Sequence, residues 1–414
     1  MTKNPAPICV IGAGIIGASV ALHLLESGAR DIVVIDAGTP LSGTTPAGAG
    51  FVARFAADSN RRLGDGAIPL EDYGLSFYRG LHESGVELEF ANNGNVVIAR
   101  TQAVLDNLSD GILRHPQATP GTRLLGADDV AEAMLGAVDP ASVAGGILMP
   151  EAIQLTTARA LKEIIGRLDA AGVEFHWETP ATGVRIVDGS VTGVETVNGT
   201  IDASTVVFAA GAWTPALLES VNRRLPLVPT VATRFVSEPA GLSPLMPTAQ
   251  CLELGLWIRG LRGAFSWGGG FAYRRVSSLI AEEGMQFGFS RPFAPVLLEQ
   301  QYAFQEKVAE VFPALAGLGA EEIIQGVPVY TVDGGLYAGA VPGIDGLWAL
   351  TGDNESGVTH GPGMGKLVAQ LIMGETPFAD PSPFRLDRID ASQYPDEESI
   401  VAAMHEDRVA SAMK

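Results

Sequence analysis

The sequence predicts a mixed α/β fold, in which a parallel sheet with helices is combined with an antiparallel part. Two segments carry this prediction. Residues 8–36 contain an apolar strand, a glycine-rich turn, an apolar helix and a second strand, which is the order of a parallel βαβ unit. Residues 173–210 contain several short strands separated by Asp188-Gly189 and Asn198-Gly199, two pairs that are typical of hairpin turns.

Length and charge limit the classes of protein to consider. The chain has 414 residues, of which 47% are hydrophobic and 18% are charged, so it is long enough for two or three globular domains. Its 27 basic and 47 acidic side chains give a net charge of −20. A surface of this charge repels nucleic acid and anionic lipid headgroups, so we expect a small-molecule partner and no nucleic acid.

The cysteines and the first apolar segment are informative about the cellular location of the protein. Cys9 and Cys251 belong to no CxxC pair, so the sequence predicts no disulfide framework and no metal site, and a cytoplasmic location fits best. Residues 8–25 raise the question of a signal peptide or a membrane span. Three glycines, His23 and Glu26 interrupt this stretch, so we predict no transmembrane segment.

The first strand and helix carry a dinucleotide-binding motif. Gly12-Ala-Gly-Ile-Ile-Gly17 connects the predicted strand Ile8–Ile11 to a helix that runs through Leu25. The three glycines allow the tight turn, the approach of backbone to a pyrophosphate, and close packing of helix on strand. Asp36 ends the second predicted strand, where a carboxylate accepts hydrogen bonds from the hydroxyls of an adenosine ribose. Because this acid disfavours the 2′-phosphate of NADP, the candidates are NAD and FAD.

The strands in the middle of the chain favour FAD. A helix is predicted over 156–171, and four strands are predicted over 173–177, 184–187, 191–197 and 206–210. We place the two hairpin turns between the last three of these strands. An antiparallel meander after a dinucleotide fold is unlike a simple NAD dehydrogenase. The last strand ends at Gly211, where backbone can again approach a cofactor.

Four segments occur in an order and spacing that resemble one known family. They are Val10–Gly17, Ser42–Gly50, Val207–Trp213, and Gly346–Gly352 followed by Gly357–Thr359. Together they are similar to the D-amino-acid oxidase (DAO) family of FAD enzymes, which includes glycine oxidase, sarcosine oxidase and amino-acid dehydrogenases. The resemblance covers residues 8–385. It implies a Rossmann-like FAD-binding domain with an inserted antiparallel-sheet substrate domain.

The resemblance also implies domain boundaries. The FAD-binding domain is expected to be discontinuous, and the intervening segments are expected to form a sheet over the flavin. The expected ranges are 1–85, 150–225 and 325–390 for the FAD-binding domain, and 86–149 and 226–324 for the substrate domain. Residues 391–414 form an acidic and then mixed tail, for which the sequence predicts a final exposed helix near Ile400, Ala403 and Met404 that acts either as a packing arm or as a solvated end.

The family pattern assigns cofactor roles to individual residues. Backbone donors of the loop 352–359, ahead of a helix predicted over 366–373, would face the pyrimidine edge of the flavin. Some relatives bind FAD covalently through a histidine or a cysteine, but the matching positions here are Ala47 and Pro328, so we expect non-covalent FAD. The expected FAD-binding residues are Gly12, Ala13, Gly14, Ile15, Ile16, Gly17, Asp36, Ala37, Thr44, Thr45, Ala47, Val184, Ala210, Gly211, Trp213, Gly352, Asn354, Glu355, Gly357, Val358 and Thr359.

The implied reaction is oxidation of a C–N bond in an amino acid or secondary amine, by hydride transfer to flavin N5 and hydrolysis of the resulting imine. Arg259 is the candidate for gripping a substrate carboxylate, because a guanidinium binds a carboxylate in two places. Tyr330 is expected to orient the substrate, and His360 to act as a base or contact, or only to cap a helix. The alternatives for the carboxylate are Arg54, Arg262, Arg274 and Arg275.

Several questions remain open at the level of sequence. The electron acceptor is oxygen or another molecule, and no lysine in a position to activate oxygen is evident, which slightly favours a dehydrogenase. A flavin monooxygenase on the same fold and an electron-relay subunit of a larger dehydrogenase are the alternative functions. The sequence is compatible with a monomer or an oligomer.

Overall fold

The computed structural model describes residues 7–55 and 64–404. The strands are β1 (Ile8–Ile11), β2 (Ile32–Ile35), β3 (Phe51–Val52), β4 (Asn95–Ala99), β5 (Arg123–Gly126), β6 (Gly145–Met149), β7 (Ile153–Gln154), β8 (Glu174–His176), β9 (Ala181–Val187), β10 (Ser190–Thr196), β11 (Gly199–Asp202), β12 (Thr205–Phe208), β13 (Leu227–Pro239), β14 (Thr248–Cys251), β15 (Leu256–Leu261), β16 (Ala264–Arg275), β17 (Ala320–Gly326), β18 (Val329–Thr331), β19 (Tyr337–Ala340) and β20 (Leu347–Thr351). The helices are α1 (Ile15–Glu26), α2 (Ile68–Glu83), α3 (Gln102–Leu108), α4 (Ala127–Ala133), α5 (Thr157–Ala170), α6 (Thr214–Ser220), α7 (Val276–Glu283), α8 (Val296–Ala309), α9 (Gly357–Ile372) and α10 (Glu397–Ala403), and a π-helical turn, Ser109–Leu113, follows α3.

Six strands form the sheet that the first segment predicts, in the order β19-β20-β12-β1-β2-β8. All neighbours are parallel except β19 and β20. The central strand β1 is a continuous apolar run because both faces are covered. Val10 packs in the same cluster as α1 and α9, whereas Cys9 and Ile11 pack in the cluster that contains Val191 and Val194 of β10.

The meander has a different third strand from the one the sequence predicts. β9, β10 and β11 form a three-stranded antiparallel sheet. The strand predicted over 206–210 was placed there wrongly, because it is β12, a central parallel strand paired with β1. Its Val206, Val207 and Phe208 are fully buried, which suits a strand covered on both faces rather than a meander edge.

A second, nine-stranded sheet stands over the first and confirms the predicted antiparallel part. Its order is β17-β13-β16-β15-β14-β4-β6-β5, with β18 paired to β13. Only β14 and β4 are parallel neighbours. β15 and β16 are antiparallel neighbours, with Arg259 opposite Ser266. Phe265 and Trp267 of β16 are fully buried in the core of this sheet.

Helix α9 begins nine residues earlier than the helix predicted over 366–373, and it packs unusually close to two other helices. A Cβ at Gly365 would lie 2.7 Å from Ser19 of α1, and a Cβ at Gly363 would lie 2.8 Å from the Cα of Leu70 in α2. These glycines therefore let the backbones of three helices approach each other. The packing fixes the first turn of α9 at the edge of the parallel sheet.

Pro362 lies inside α9, which explains why the sequence pattern places the helix start too late. A proline has no N–H, so the carbonyl of Val358 loses its helical partner. The hydroxyl of Tyr78, a fully buried residue of α2, donates to this carbonyl at 2.9 Å. The tertiary contact replaces the lost hydrogen bond and lets the helix continue through the proline.

The C-terminal helix α10 is not exposed as predicted. Ile400, Val401 and Met404 are buried in a cluster with Val228 and Tyr330. The alternative, a packing arm, is therefore correct for this helix, and residues 405–414 of the expected tail lie outside the described residues. Within 7–55 and 64–404, no helix has the length and apolar character needed to cross a membrane.

Candidate functional site

One large cavity lies where the two sheets face each other, with a volume of about 1180 Å³. Its wall includes residues that follow β1, β2, β12 and β20, so it lies at the carboxyl ends of the parallel strands, where ligands of α/β sheets bind. The opposite wall comes from β4, β13, β15 and β16. The volume exceeds the roughly 300–1,000 Å³ of a pocket for one small ligand, so a dinucleotide and a second molecule have room.

The cavity wall collects most of the residues that the sequence singles out. Ala13, Gly17, Val184, Gly352, Arg259 and His360 lie outside it, although Ala181, at the start of the same strand as Val184, lies on it. The predicted residues on the wall are Gly12, Gly14, Ile15, Ile16, Asp36, Ala37, Thr44, Thr45, Ala47, Ala210, Gly211, Trp213, Tyr330, Asn354, Glu355, Gly357, Val358 and Thr359.

The turn between β1 and α1 has the geometry that its glycines predict. Gly12 has a φ of +107°, and a Cβ there would lie 2.4 Å from the carbonyl oxygen of Ala209. A Cβ at Gly17 would lie 1.9 Å from the oxygen of Gly12, so its absence allows α1 to lie on β1. At Gly14 a Cβ would meet only Thr45 Oγ1, at 3.4 Å. Gly14 therefore leaves open space in the cavity beside the start of α1.

Asp36 presents a carboxylate at the end of β2. The N–H of Ala13 donates to its Oδ2 at 2.7 Å, and the N–H of Gly38 donates to its Oδ1 at 2.8 Å. These bonds hold the carboxylate on the wall, and each oxygen keeps a further lone pair for a ligand. Burial raises the pKa of Asp36, and the two backbone donors oppose this shift.

The loop 42–50 is fixed by contacts to elements on both sides of the cavity, at the start of α1 and after β17. Thr45 Oγ1 accepts the N–H of Ile15 at 3.0 Å, which satisfies one free donor at the start of α1. Thr44 Oγ1 accepts the N–H of Val327 at 3.1 Å. At the neighbouring Gly326 the backbone comes so close to the loop that a Cβ would lie 2.9 Å from the Cβ of Ala47. The loop is thus held between the parallel sheet and β17.

The loop before α9 depends on the side chain of Asn354. Its Nδ2 donates to the carbonyls of Gly352 at 2.7 Å and Gly334 at 3.0 Å, and its Oδ1 accepts the N–H of Thr331 at 3.0 Å. Because these bonds use the amide, Asn354 shapes the loop and exposes backbone to the cavity. The next residue, Glu355, accepts a hydrogen bond from the Tyr273 hydroxyl at 2.6 Å.

A family model described as DAO, FAD dependent oxidoreductase, matches residues 7–371. The chain belongs to this family. The match confirms the resemblance seen in the sequence, and with it the prediction of an FAD-dependent oxidoreductase.

Similar proteins and a similar solved structure show over how much of the chain the likeness extends. The 4-methylaminobutanoate oxidase (formaldehyde-forming) of Paenarthrobacter nicotinovorans is 27% identical over 93% of this chain and 46% of its own length. Glycine oxidase of Pseudomonas aeruginosa is 27% identical over 91% of this chain and 97% of its own. The crystal structure of glycine oxidase from Geobacillus kaustophilus matches with a TM-score of 0.80 at 21% identity, covering 94% of this chain and 100% of that one.

Two consequences follow from these comparisons. The structural match confirms the mixed α/β fold with a parallel and an antiparallel sheet. The chain spans about half the length of the first curated relatives that it matches.

In this DAO-family chain, Arg259 does not take the position expected for a substrate ligand. Its guanidinium is buried, and Nη1 donates to the carbonyls of Gly50 and Leu155, each at 3.1 Å. Arg259 therefore connects β15 to the loop 42–50 and to the strand region after β7. This placement favours a structural role over a grip on substrate.

The four alternative arginines are also away from the cavity wall, and each has a carboxylate partner. Their ion pairs join Arg54 to Asp72, Arg262 to Glu89, Arg274 to Glu282 and Glu283, and Arg275 to Glu398. Because a partnered guanidinium already has its anion, none of the four is suited to a substrate carboxylate.

Sequence reasoning missed Arg234, the one arginine on the cavity wall formed by the described residues. It lies in β13 and is only 7% exposed. Its Nε donates to the Ala47 carbonyl at 3.2 Å and its Nη1 to Ser266 Oγ at 2.9 Å. The signal that could have found it is a charged residue within the apolar strand Val231–Val236, because a buried charge needs a partner.

The two remaining candidates differ in their placement. Tyr330 lies on the cavity wall and meets Tyr273 edge to face, with ring centres 6.5 Å apart. His360 lies fully buried in α9, with Nε2 3.4 Å from Oε1 of the equally buried Glu71 in α2. Tyr330 is therefore placed to contact a ligand, whereas His360 is placed to join two helices. The expectation of a base at His360 gains no support from this geometry.

Proposed function

We propose that this chain oxidises the C–N bond of an amine that carries a carboxylate, such as an amino acid or its N-alkyl derivative, with non-covalently bound FAD. The observation that carries the proposal is Arg234, a buried guanidinium on the wall of the cavity that the predicted FAD residues also line. When bound, FAD would supply the acceptor for the hydride, which carries both electrons that the substrate loses.

The residues at the carboxyl ends of the parallel strands fit FAD. Gly14 leaves space for a pyrophosphate at the start of α1, whose N-terminal dipole favours an anion. Asp36 offers acceptors for the ribose hydroxyls. The backbone of 352–359, shaped by Asn354, would face the flavin, where donors stabilise the charge of a reduced ring.

Non-covalent binding rests on two wall residues. Ala47 and Pro328, at the positions where the family pattern can place a histidine or cysteine, both line the cavity. Neither side chain has an atom that could form a bond to the flavin. Retention of FAD then depends on the contacts of the protein with the dinucleotide.

The surroundings of Arg234 favour an anionic group in the cavity. Arg234 forms no ion pair among residues 7–55 and 64–404, and its Nη2 donates no hydrogen bond there. Burial lowers the pKa of Arg234 to about 10, although the charge of Glu322 opposes this shift, and burial together with the charge of Arg234 lowers the pKa of Arg259 to about 9. Two buried positive charges repel each other, so a carboxylate bound at Nη2 would relieve an unfavourable arrangement.

The relatives are consistent with this substrate chemistry. The names 4-methylaminobutanoate oxidase and glycine oxidase both denote oxidation of an amine that carries a carboxylate. In this chain, Arg234 would hold the carboxylate, Tyr330 and Tyr273 would limit the position of the amine, and the sheet over the cavity would exclude water. Fixing the substrate in this way supplies much of the rate enhancement, because the reacting carbon is held in position.

The first experiment is an anaerobic screen for loss of flavin absorbance at 450 nm. Amino acids, N-methylamino acids and N-methylamino fatty acids are each paired with the amine that lacks the carboxylate. We expect bleaching by at least one acid and much slower bleaching by its decarboxylated partner. No bleaching by any amine would contradict the proposed function.

A variant then separates the carboxylate site from the reaction. Arg234→Lys keeps the charge but loses the planar guanidinium that Ala47 and Ser266 hold in place and whose Nη2 would donate to the carboxylate. The kcat/KM for the acid should therefore fall roughly ten- to two-hundred-fold, the equivalent of a lost charge-assisted bond of about 1.5–3 kcal/mol. The decarboxylated amine should be affected little. Arg262→Lys is the matched control, because Arg262 is in the same sheet region but pairs with Glu89 on the surface. Equal losses for both substrates would refute the role of Arg234.

The same assays address the two alternative functions. A flavin monooxygenase needs NAD(P)H to reduce its flavin, so bleaching by substrate alone argues against it. An electron-relay subunit would not turn over without its partner. Turnover of the purified chain with an artificial electron acceptor would exclude that alternative.

A further inference from the structure

A segment without regular secondary structure, Met285–Ala294, crosses from the nine-stranded sheet to the parallel-sheet side of the cavity. We call it the strap. It follows α7, which ends at Glu283 and has Gly284 as its C-cap, and it leads into α8. The strap lies within the range 226–324, which the family resemblance implies for the substrate domain. Its contacts, however, are with residues beside the predicted ADP site.

The strap touches the parallel-sheet side at three points. The indole Nε1 of Trp213 donates to the carbonyl of Gly288 at 3.0 Å. The N–H of Arg291 donates to the carbonyl of Ser42 at 3.2 Å. A Cβ on Gly38, two residues after Asp36, would lie 2.9 Å from the carbonyl oxygen of Phe289. Two of these points, Gly38 and Ser42, lie two and six residues after Asp36 in the chain, so the strap lies beside the carboxyl end of β2.

Aromatic side chains of the strap extend this closure. Phe287 stacks on Trp213 with ring centres 5.1 Å apart and planes within 2° of parallel. Phe289 lines the cavity although 49% of the residue is exposed. A large apolar ring that is half exposed and faces a cavity gains burial when a flat ligand binds beside it.

The far end of the strap is fixed to the opposite sheet. Gln325 of β17, which is 5% exposed, binds both backbone polar groups of Ala294. Its Oε1 accepts the Ala294 N–H at 2.7 Å, and its Nε2 donates to the Ala294 carbonyl at 3.0 Å. Nε2 also donates to Thr233 Oγ1, at 3.0 Å, in the strand that carries Arg234. The strap is therefore a fixed wall and not a loose loop.

We propose that the strap forms the outer wall of the adenosine site, with Phe289 as a direct contact of the adenine or its ribose and the stacked pair Trp213 and Phe287 as its support. The inference rests on the proposed function, since it takes the site beside Asp36 to hold the ADP half of FAD. It adds a binding element from the other sheet. With no covalent bond to the flavin, such a wall would slow the release of FAD.

The experiment measures binding and not activity. Apoprotein is titrated with FAD and, separately, with ADP, for wild type, Phe289→Ala and Phe287→Ala. Phe293→Ala is the matched control, because Phe293 lies in the same strap and is 60% exposed but does not line the cavity. We expect roughly three- to tenfold weaker binding of both ligands for Phe289→Ala, from the loss of one aromatic contact, with faster release of FAD. Phe293→Ala should bind as wild type does.

The outcomes distinguish the strap from the proposed function. FAD and ADP affinities of Phe289→Ala equal to wild type would overturn the strap proposal while leaving FAD binding intact. Weaker FAD binding with unchanged ADP binding would also overturn it, because the contact would then lie at the flavin. A wild-type apoprotein that binds neither ligand would overturn the proposed function itself.

Discussion

The close contact of α2 with α9 allows a test of whether the packing of these two helices positions the wall of the cavity. Gly74 lies in α2, and a Cβ there would lie 2.1 Å from the carbonyl oxygen of Thr359. Thr359 is on the first turn of α9 and lines the cavity. Gly74→Ala must therefore separate the two helices by about 1 Å to restore a normal contact distance. The change lies outside the cavity but moves its wall.

Gly80 provides a matched control on the same helix. A Cβ at Gly80 meets nothing within 4 Å. Both substitutions replace glycine by alanine inside α2, so both gain the same helix propensity of about 1 kcal/mol. Overpacking of a close backbone contact costs about 1–3 kcal/mol. The free energy of unfolding of Gly74→Ala should therefore lie about 1–3 kcal/mol below that of Gly80→Ala.

The assay is urea unfolding of the two apoproteins, so that bound FAD does not add to the measured stability. FAD titration of each variant is the second readout, and we expect weaker binding only for Gly74→Ala, because its Thr359 is displaced. Equal stabilities and equal FAD affinities for the two variants would refute the close packing of α2 on α9.

Four further predictions concern FAD and helix α9. Purified protein should be yellow and should release intact FAD into the supernatant on acid precipitation; colour that stays in the pellet would contradict the interpretation of Ala47 and Pro328. Asp36→Ala should weaken FAD binding by about 2–4 kcal/mol through the loss of two charge-assisted hydrogen bonds, measured by titration of apoprotein. Burial raises the pKa of Asp36, and the ribose hydroxyls bind best to the ionised carboxylate. The affinity for FAD should therefore be full above this raised pKa and should fall as the pH is lowered through it. Asp36→Asn should lack this pH dependence. Tyr78→Phe leaves the Val358 carbonyl buried without its donor and should lower the free energy of unfolding by about 1–3 kcal/mol in the same urea assay.

Features that depend on neighbours in sequence were predicted well. The turn at Gly12, the helix that follows and the acid at the end of β2 are set by local backbone geometry and short spacings, and the structure has all three. The DAO family and its mixed fold also followed from four short segments in order. The identity of a single residue decides whether a local steric requirement is met, so the sequence alone determines these features.

Features that depend on distant partners required the tertiary structure. Arg259 and Arg234 are both charged residues within apolar strands of the same sheet, so this sequence signal marks both and does not tell which one reaches the cavity. The difference lies in distant contacts, since Arg259 binds carbonyls of residues 209 and 104 positions away. In the same way, the start of α9 depends on the Tyr78 hydroxyl, 280 positions from Val358. Whether a buried polar group is satisfied internally or left for a ligand is decided by packing, because its partners come from other parts of the chain.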